Sequence, residues 1–249
     1  MKLNRGLREI APRAIIVLAY GALLSLSLST KSWEAFLRVL YPNATSVVYA
    51  RASIARLFGE HLLLVVVSSV SAALVGISVG IFVTRTRGRP FRGIVNDLGS
   101  LSQTIPPVAV LALAVPAVGF GFEPTILALF LYSVLPILRN TISGLEDVSP
   151  EVIEAGRGMG MTQTQLLFKA ELPLAIPVIF AGIRISVVIN VGTATIGAVV
   201  GAGGLGNPII SGLINNNPAY ILEGAITAAL LAIVMDQLIG RLEKALSSK

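Results

Sequence analysis

The sequence predicts an all-α membrane protein with about six transmembrane helices, and three observations carry that prediction. Of its 249 residues 54% are hydrophobic and only 13% are charged, with a mean hydropathy of +0.82. A soluble domain carries about 25% charged residues, so too little polar surface exists here to cover a water-soluble globule. The apolar residues gather into long runs, and the basic residues sit in short clusters at the ends of those runs.

Six runs approach the ~20 predominantly apolar residues that a span requires. They lie near Ala14 to Leu28, Leu62 to Val83, Leu98 to Val118, Thr125 to Leu138, Leu174 to Val200 and Tyr220 to Ile239; the first and fourth are short and need their flanks. The N-terminal stretch MKLNRGLREIAPR resembles a signal peptide, but no clear small-x-small cleavage site ends the first run, so it is read as a retained span. Six spans place both termini on one side. If that side is cytoplasmic, the inner segments hold fourteen Lys and Arg, including Arg85, Arg87, Arg89, Arg92, Arg139, Arg157 and Lys169. The outer segments keep four, Lys31, Arg38, Arg51 and Arg56, and Arg184 lies inside a span. Cationic loops resist translocation, which selects the cytoplasmic assignment and a multi-pass inner-membrane location. The expected organisation is an N-terminal cytoplasmic segment, first span and outer segment over 1–60, a core of about five helices over 61–242 containing a loop at 144–172, and a cytoplasmic tail at 243–249.

Zero cysteines exclude a disulfide framework and a thiolate metal site, and one histidine, His61, excludes a histidine metal cluster built from this chain alone. His61 itself, at the outer start of the second run, reads as an interfacial residue without chemistry. The net charge of +6 does not imply nucleic acid, because loop retention explains the basic clusters.

Within the third run, Pro106 and Pro107 must interrupt the helix, since each removes a backbone donor and clashes with the preceding turn. The freed carbonyls lie beside Gln103 and Thr104; the break is either a packing kink or a pore-lining irregularity. On the second run Ser68, Ser69, Ala72, Ala73, Gly76 and Gly80 permit close helix approach. Arg184 falls near mid-membrane, where an unpaired charge costs about 2.5–3.5 kcal/mol, so it requires a partner. Asp236 is the nearest plausible carboxylate. Their pair either fixes packing or belongs to a pathway, for which Asn190, Thr193 and Thr195 add a polar stripe on the same helix.

Between the fourth and fifth runs, Arg139 to Lys169 reads as two short helices on the cytoplasmic side. Ser149 with Pro150 forms one helix start, Thr162 with Gln165 forms a capping box, and Gly158-Met159-Gly160 separates them. Glu154 and Arg157 supply charges, while Ala155, Gly156, Gly158 and Gly160 let a partner come close. Physics alone leaves open an interfacial loop without a partner.

EAGRGMGMTQTQLLFKAELP, Glu154 to Pro173, resembles the coupling motif of ABC-importer permeases: Glu-Ala-Ala, three residues, Gly, nine residues, Ile, one residue, Leu-Pro. Glu154, Ala155, Gly160, Leu172 and Pro173 fall on it; Gly156 stands where Ala is usual and Ala170 where Ile is usual, smaller residues expected to loosen packing while keeping register. The similarity covers roughly His61 to Leu242. SQTIPPVAVLALAVPAVGFG from Ser102, ALFLYSVLPILRNT from Ala128, ELPLAIPVIFAGIR from Glu171 and NVGTATIGAVVGAGGLG from Asn190 resemble permeases for glycine betaine, choline and related osmoprotectants. The resemblance implies a type I ABC-importer permease fold with a cytoplasmic coupling helix between the fourth and fifth spans. It also implies a second permease subunit, identical or related, a separate ABC ATPase that holds ATP and Mg, an extracytoplasmic binding protein, and no cofactor or catalytic residue on this chain. The same architecture serves other small solutes, such as choline or amino acids, and an ion-driven secondary transporter is the alternative of a different class.

GAGGLG, Gly201 to Gly206, satisfies the dinucleotide pattern G-x-G-x-x-G but follows a long apolar helix and leads into Asn207-Pro208, where that fingerprint needs a preceding strand and a helix directly after. A flexible outer loop or re-entrant turn is expected instead. No Walker A sequence occurs. The single Trp33 lies outside the spans, and Tyr132 and Tyr220 are the tyrosines nearest the membrane, so cation-π recognition of a quaternary ammonium is expected mainly on the binding protein.

Overall fold

The computed structural model describes residues 20–25 and 27–247, so the first half of the first expected span lies outside the described residues. Its helices are α1 (Thr30–Leu40), α2 (Ile54–Thr84), α3 (Arg92–Thr104), α4 (Pro107–Val118), α5 (Phe122–Glu146), α6 (Pro150–Gly158) and α7 (Gln163–Leu166). A π turn at Leu167–Glu171 leads into α8 (Leu172–Ala194), which tightens into a 3-10 turn at Thr195–Val200; α9 (Gly206–Ile214) and α10 (Pro218–Ser247) follow. No strand occurs among the described residues.

Among the described residues, four helical stretches are long and apolar enough to cross a membrane: α2, α5, the run 163–200 and α10. Of the six expected spans, the first lies partly outside the described residues, and the third is not continuous for a local reason. Ile105 and Pro106 are extended, with ψ of 122° and 141°, and split the third expected span into α3 and α4, with Pro107 opening α4. Pro107 suits that position because a first-turn residue has no intrahelical partner for its missing N–H. The second span also starts earlier than its apolar run, at Ile54, where the Ser53 side chain accepts from the Arg56 N–H and caps the helix.

α5 packs against both α2 and α8, and α10 packs against α8. Small residues permit these contacts. A Cβ at Gly80 would lie 2.7 Å from Cγ2 of Thr141, and one at Gly182 would lie 2.8 Å from the Pro136 carbonyl oxygen, so α5 meets each neighbour at close backbone range. Ser68 and Ser69 do more than yield space: both hydroxyls accept from the Asn190 amide, at 3.0 and 2.9 Å, joining α2 to α8 inside the bundle. Without hydrophobic drive between helices in lipid, such shape fit and interhelical bonds hold the bundle.

Contacts across the helix ends fall into two groups, as membrane crossing demands. At one end Arg85 meets Glu171, at 2.5 Å, and Arg92 meets Glu146 through both carboxylate oxygens. At the other end His61 meets Val191, and Tyr49 meets Glu223. His61 is not interfacial: it is fully buried, its Nε2 2.9 Å from the Val191 carbonyl oxygen, because the Gly201–Gly206 turn covers it. Trp33 is likewise buried and donates from Nε1 to the Ser27 carbonyl at 2.8 Å, which fastens α1 to the preceding chain.

Candidate functional site: the coupling segment and a charged hollow

Residues 147–173 leave the bundle between two membrane-crossing stretches. α6 begins at Ser149 with Pro150 at its first position, but the Ser149 hydroxyl makes no cap bond. The backbone N–H of Glu151 and the Ser149 hydroxyl instead serve the Glu151 carboxylate and hold it below the usual carboxylate range. α6 ends in a Schellman closure: the Met161 N–H donates to Gly156 O at 3.1 Å and the Gly160 N–H to Arg157 O at 2.9 Å. That closure requires a left-handed residue, and Gly160 supplies it with φ of 79°. One residue on, Thr162 and Gln165 form the complete capping box, at 3.3 and 2.9 Å, and start α7.

The two helices therefore fold back on each other, and Gly156 is what lets them. A Cβ there would stand 2.6 Å from Cδ1 of the buried Leu166. Glycine in the alanine position thus tightens the packing, contrary to the expectation of looseness, because Leu166 fills the vacated space. On the opposite face Glu154, Ala155 and Arg157 are exposed, and neither charge makes an ion pair among the described residues. Gly158 and Gly160 are exposed as well. Beside them Met159 and Phe168 are 71% and 62% exposed, an apolar pair that motif spacing had not singled out. Charge and uncovered apolar side chains thus share one exposed segment.

The segment is tied back to the spans at its far end. Glu171, buried, closes the π turn and pairs with Arg85 at the end of α2; Leu172 and Pro173 then open α8. α6 and α7 are thus joined through the chain to α8 and through this ion pair to α2. Nothing in the periodicity around Glu171 points to Arg85, since the partner lies on a helix far away in sequence.

Among the pathway candidates, Arg184 and Asp236 are brought together. Arg184 Nε and Nη2 donate to the two Asp236 oxygens at 2.8 and 2.9 Å, a bidentate pair between α8 and α10, with Glu243 3.7 Å from Nη1. The pair is 37% and 28% exposed and lines a hollow of about 390 Å³ with Ile185, Val188 and Ile189. Gln103, Pro106 and Pro107 lie elsewhere, at the break between α3 and α4. There the Gln103 amide donates to the Tyr132 carbonyl at 3.3 Å, and the Tyr132 hydroxyl donates to the Ile105 carbonyl that the break frees. Asn190 is fully buried between α2 and α8, Thr193 is half-buried, and the Thr195 hydroxyl donates to Gly192 O at 2.7 Å. These residues do not line the Arg184 hollow.

The Gly201–Gly206 turn follows a 3-10 helix rather than a strand, so it builds no dinucleotide cradle, although α9 does begin directly after it. It is an ordered cover: the Gly204 N–H donates to Glu60 at 3.0 Å, and Gly203 and Gly204 are left-handed and lie against Glu60 and His61.

Comparison with known proteins agrees with this geometry. The family described as binding-protein-dependent transport system inner membrane component matches residues 76–248. The chain is 46% identical over 191 residues to the glycine betaine/carnitine/choline transport system permease protein OpuCD of Bacillus subtilis, covering 76% of this chain and 82% of that one. It is 39% identical over 231 residues to the osmoprotectant import permease protein OsmY of Salmonella typhimurium, covering 93% of this chain and 95% of that one. Among solved structures, the inward-facing MetNI methionine ABC transporter superposes with a TM-score of 0.70 at 26% identity, over 78% of this chain and 95% of that one. A helical bundle with a projecting, doubly capped segment before α8, matched over most of its length in sequence and in fold, is a membrane-spanning permease: the chain belongs to the binding-protein-dependent transport system inner membrane component family, with the type I ABC-importer permease fold.

Proposed function

We propose that this chain is the translocating subunit of an importer for glycine betaine or a related quaternary-ammonium osmoprotectant. A separate ABC ATPase, holding ATP and Mg, docks on the coupling segment; an extracytoplasmic binding protein delivers the solute, and a second permease subunit completes the pathway. Both termini face the cytoplasm on this reading, in keeping with the basic clusters at the coupling end. The observation that carries it is the coupling segment, a rigid element exposing Glu154, Arg157, Met159 and Phe168 and joined without slack to α8. The osmoprotectant class is supported by the activities for which the relatives are named.

Mechanically, ATP-driven closure of the ATPases carries α6 and α7 with it. The Arg85–Glu171 pair and Leu172-Pro173 pass that motion into α2 and α8, and the spans rock about the site. Gln103, Pro106, Pro107, Arg184, Asn190, Thr193 and Asp236 are the pathway or gating positions in this scheme. Arg184–Asp236 is the contact between α8 and α10 that such rocking would strain first, because it is the charged tie between two moving spans.

The test is uptake of radiolabelled glycine betaine into proteoliposomes holding this chain, its ATPase and its binding protein, with and without internal ATP. ATP-dependent accumulation is expected. Glu154→Arg, on an exposed face, is expected to insert normally and to lose both ATPase assembly and uptake. Uptake independent of ATP would overturn the importer reading; ATP hydrolysis stimulated by the binding protein without betaine uptake would overturn the solute class alone.

A further inference from the structure

At the end of the bundle opposite the coupling segment, loop 41–53 and turn 215–217 enclose a cavity of about 580 Å³. This lies within the ~300–1,000 Å³ usual for small-molecule sites. Asn43, Tyr49, Arg51, Asn215, Asn216 and Tyr220 are among its walls, and no carboxylate lines it.

The walls come from distant parts of the chain and are fixed to each other. The Tyr49 N–H donates to Oε2 of Glu223 at 2.8 Å, the Asn217 amide to Ser46 O at 2.9 Å, and the Tyr220 hydroxyl to Ser46 Oγ at 2.9 Å. Glu223 is 2% exposed, so the anchor for Tyr49 lies in the interior of the bundle rather than in the loop. The cavity is thus preformed, which lowers the ordering cost of binding.

Two of its walls are aromatic. The Tyr49 and Tyr220 rings meet edge to face, their centroids 5.9 Å apart at 89°, and make an aromatic corner of the wall. A quaternary ammonium has no N–H, so hydrogen-bond acceptors cannot hold it, whereas ring faces attract it electrostatically. Arg51 is exposed and makes no ion pair among the described residues, and beside it the Asn43 and Asn216 amides are donors of the kind that bind a carboxylate, whereas those of Asn215 and Asn217 already donate to Ser211 and Ser46. We infer that this cavity is a receiving site for a small zwitterion, its quaternary ammonium against the Tyr49–Tyr220 corner and its carboxylate on Arg51 and the amides. The inference rests on the osmoprotectant reading for its solute class, and it places on the permease a contact that composition alone assigns to the binding protein.

The test uses the permease in lipid nanodiscs with its ATPase and without the binding protein. Saturation transfer from protein to the N-methyl protons of glycine betaine is measured, beside 3,3-dimethylbutyrate, which has the same shape without the positive charge. Glycine betaine is expected to bind and the isostere to bind about tenfold more weakly. Tyr49→Leu with Tyr220→Leu should weaken betaine about tenfold, while Tyr49→Phe, which keeps the ring, should bind as the parent does. Arg51→Gln should weaken betaine and leave choline, which has no carboxylate, unchanged. Absence of a parent signal, equal binding of the isostere, or indifference to loss of both rings would overturn the site. Failure of the solute class reads differently: tyrosine-dependent N-methyl binding would persist while uptake of betaine by the parent complex fails.

Discussion

The two ends of the bundle are held together by different chemistry. At the coupling end the ties are charged: Arg85 with Glu171 and Arg92 with Glu146, each joining residues that flank different helices. At the opposite end the ties run largely through backbone groups and glycine: Gly204 N–H to Glu60, Val191 O to His61, Tyr49 N–H to Glu223. Charged pairs tolerate small changes of distance, because Coulomb attraction falls slowly with separation. Close backbone contacts do not, since a displaced carbonyl or a covered glycine has one fitting position. On the proposed reading, the end that receives a stroke from outside is the one joined by long, adjustable side chains, and the end that closes over a cavity is joined by short, exacting ones.

This contrast can be broken by substitution, and the largest effect is expected where backbone meets backbone. A Cβ at Gly206 would stand 2.0 Å from the Thr195 carbonyl oxygen, so Gly206→Ala must push α9 away from the 3-10 turn. A loss of about 2–3 kcal/mol is expected, read as a lowered unfolding midpoint in detergent; an unchanged midpoint would show that this end is not rigid. Glu171→Gln comes next. It removes the charge that faces Arg85, whose side chain is 29% exposed, and about 1–2 kcal/mol is expected after partial solvation of Arg85. The sharper readout is function: uptake per ATP hydrolysed should fall, whereas Gly206→Ala should lower both together.

Gly160→Ala tests the capped segment itself. The residue sits at φ of 79° with open space around it, so the cost is conformational and about 1–2 kcal/mol, confined to α6 and α7. Hydrogen exchange should accelerate at Met161 and at the substituted position 160, whose N–H groups close the Schellman motif, and stay unchanged in α5. The smallest effect is expected at Arg92→Ala. Its pair with Glu146 has both side chains about 40% exposed, and such pairs contribute about 0.2–1 kcal/mol. Raising salt should abolish the difference between Arg92→Ala and the parent while leaving that of Gly206→Ala intact; a salt-insensitive difference would place this end outside the contrast drawn above.

Several features are legible in the sequence. The capping box at Thr162 and Gln165, the break at Pro106 and the projection between the fourth and fifth runs all follow from local rules, since each depends on residues within a few positions of each other. The Arg184–Asp236 pair was legible for another reason: a mid-membrane guanidinium must find a carboxylate, and few are available. His61 was misplaced because its position in an apolar run says nothing about the glycine turn that covers it. Gly156 was misread because its neighbour Leu166 reaches it only after the chain reverses at Gly160.

By itself, then, the sequence determined what lipid and local backbone sterics dictate: helices throughout, the end that carries the basic residues, the doubly capped projection and its motif. Tertiary structure alone decided that Arg85 meets Glu171 and Arg92 meets Glu146, that the Asn190 amide joins α2 to α8, and that Tyr49 and Tyr220 stand together at one cavity. The physical reason is range. Capping, proline breaks and hydropathy act over a turn or a span, whereas a pair such as Tyr49 and Glu223 depends on how whole helices pack, which no local pattern records.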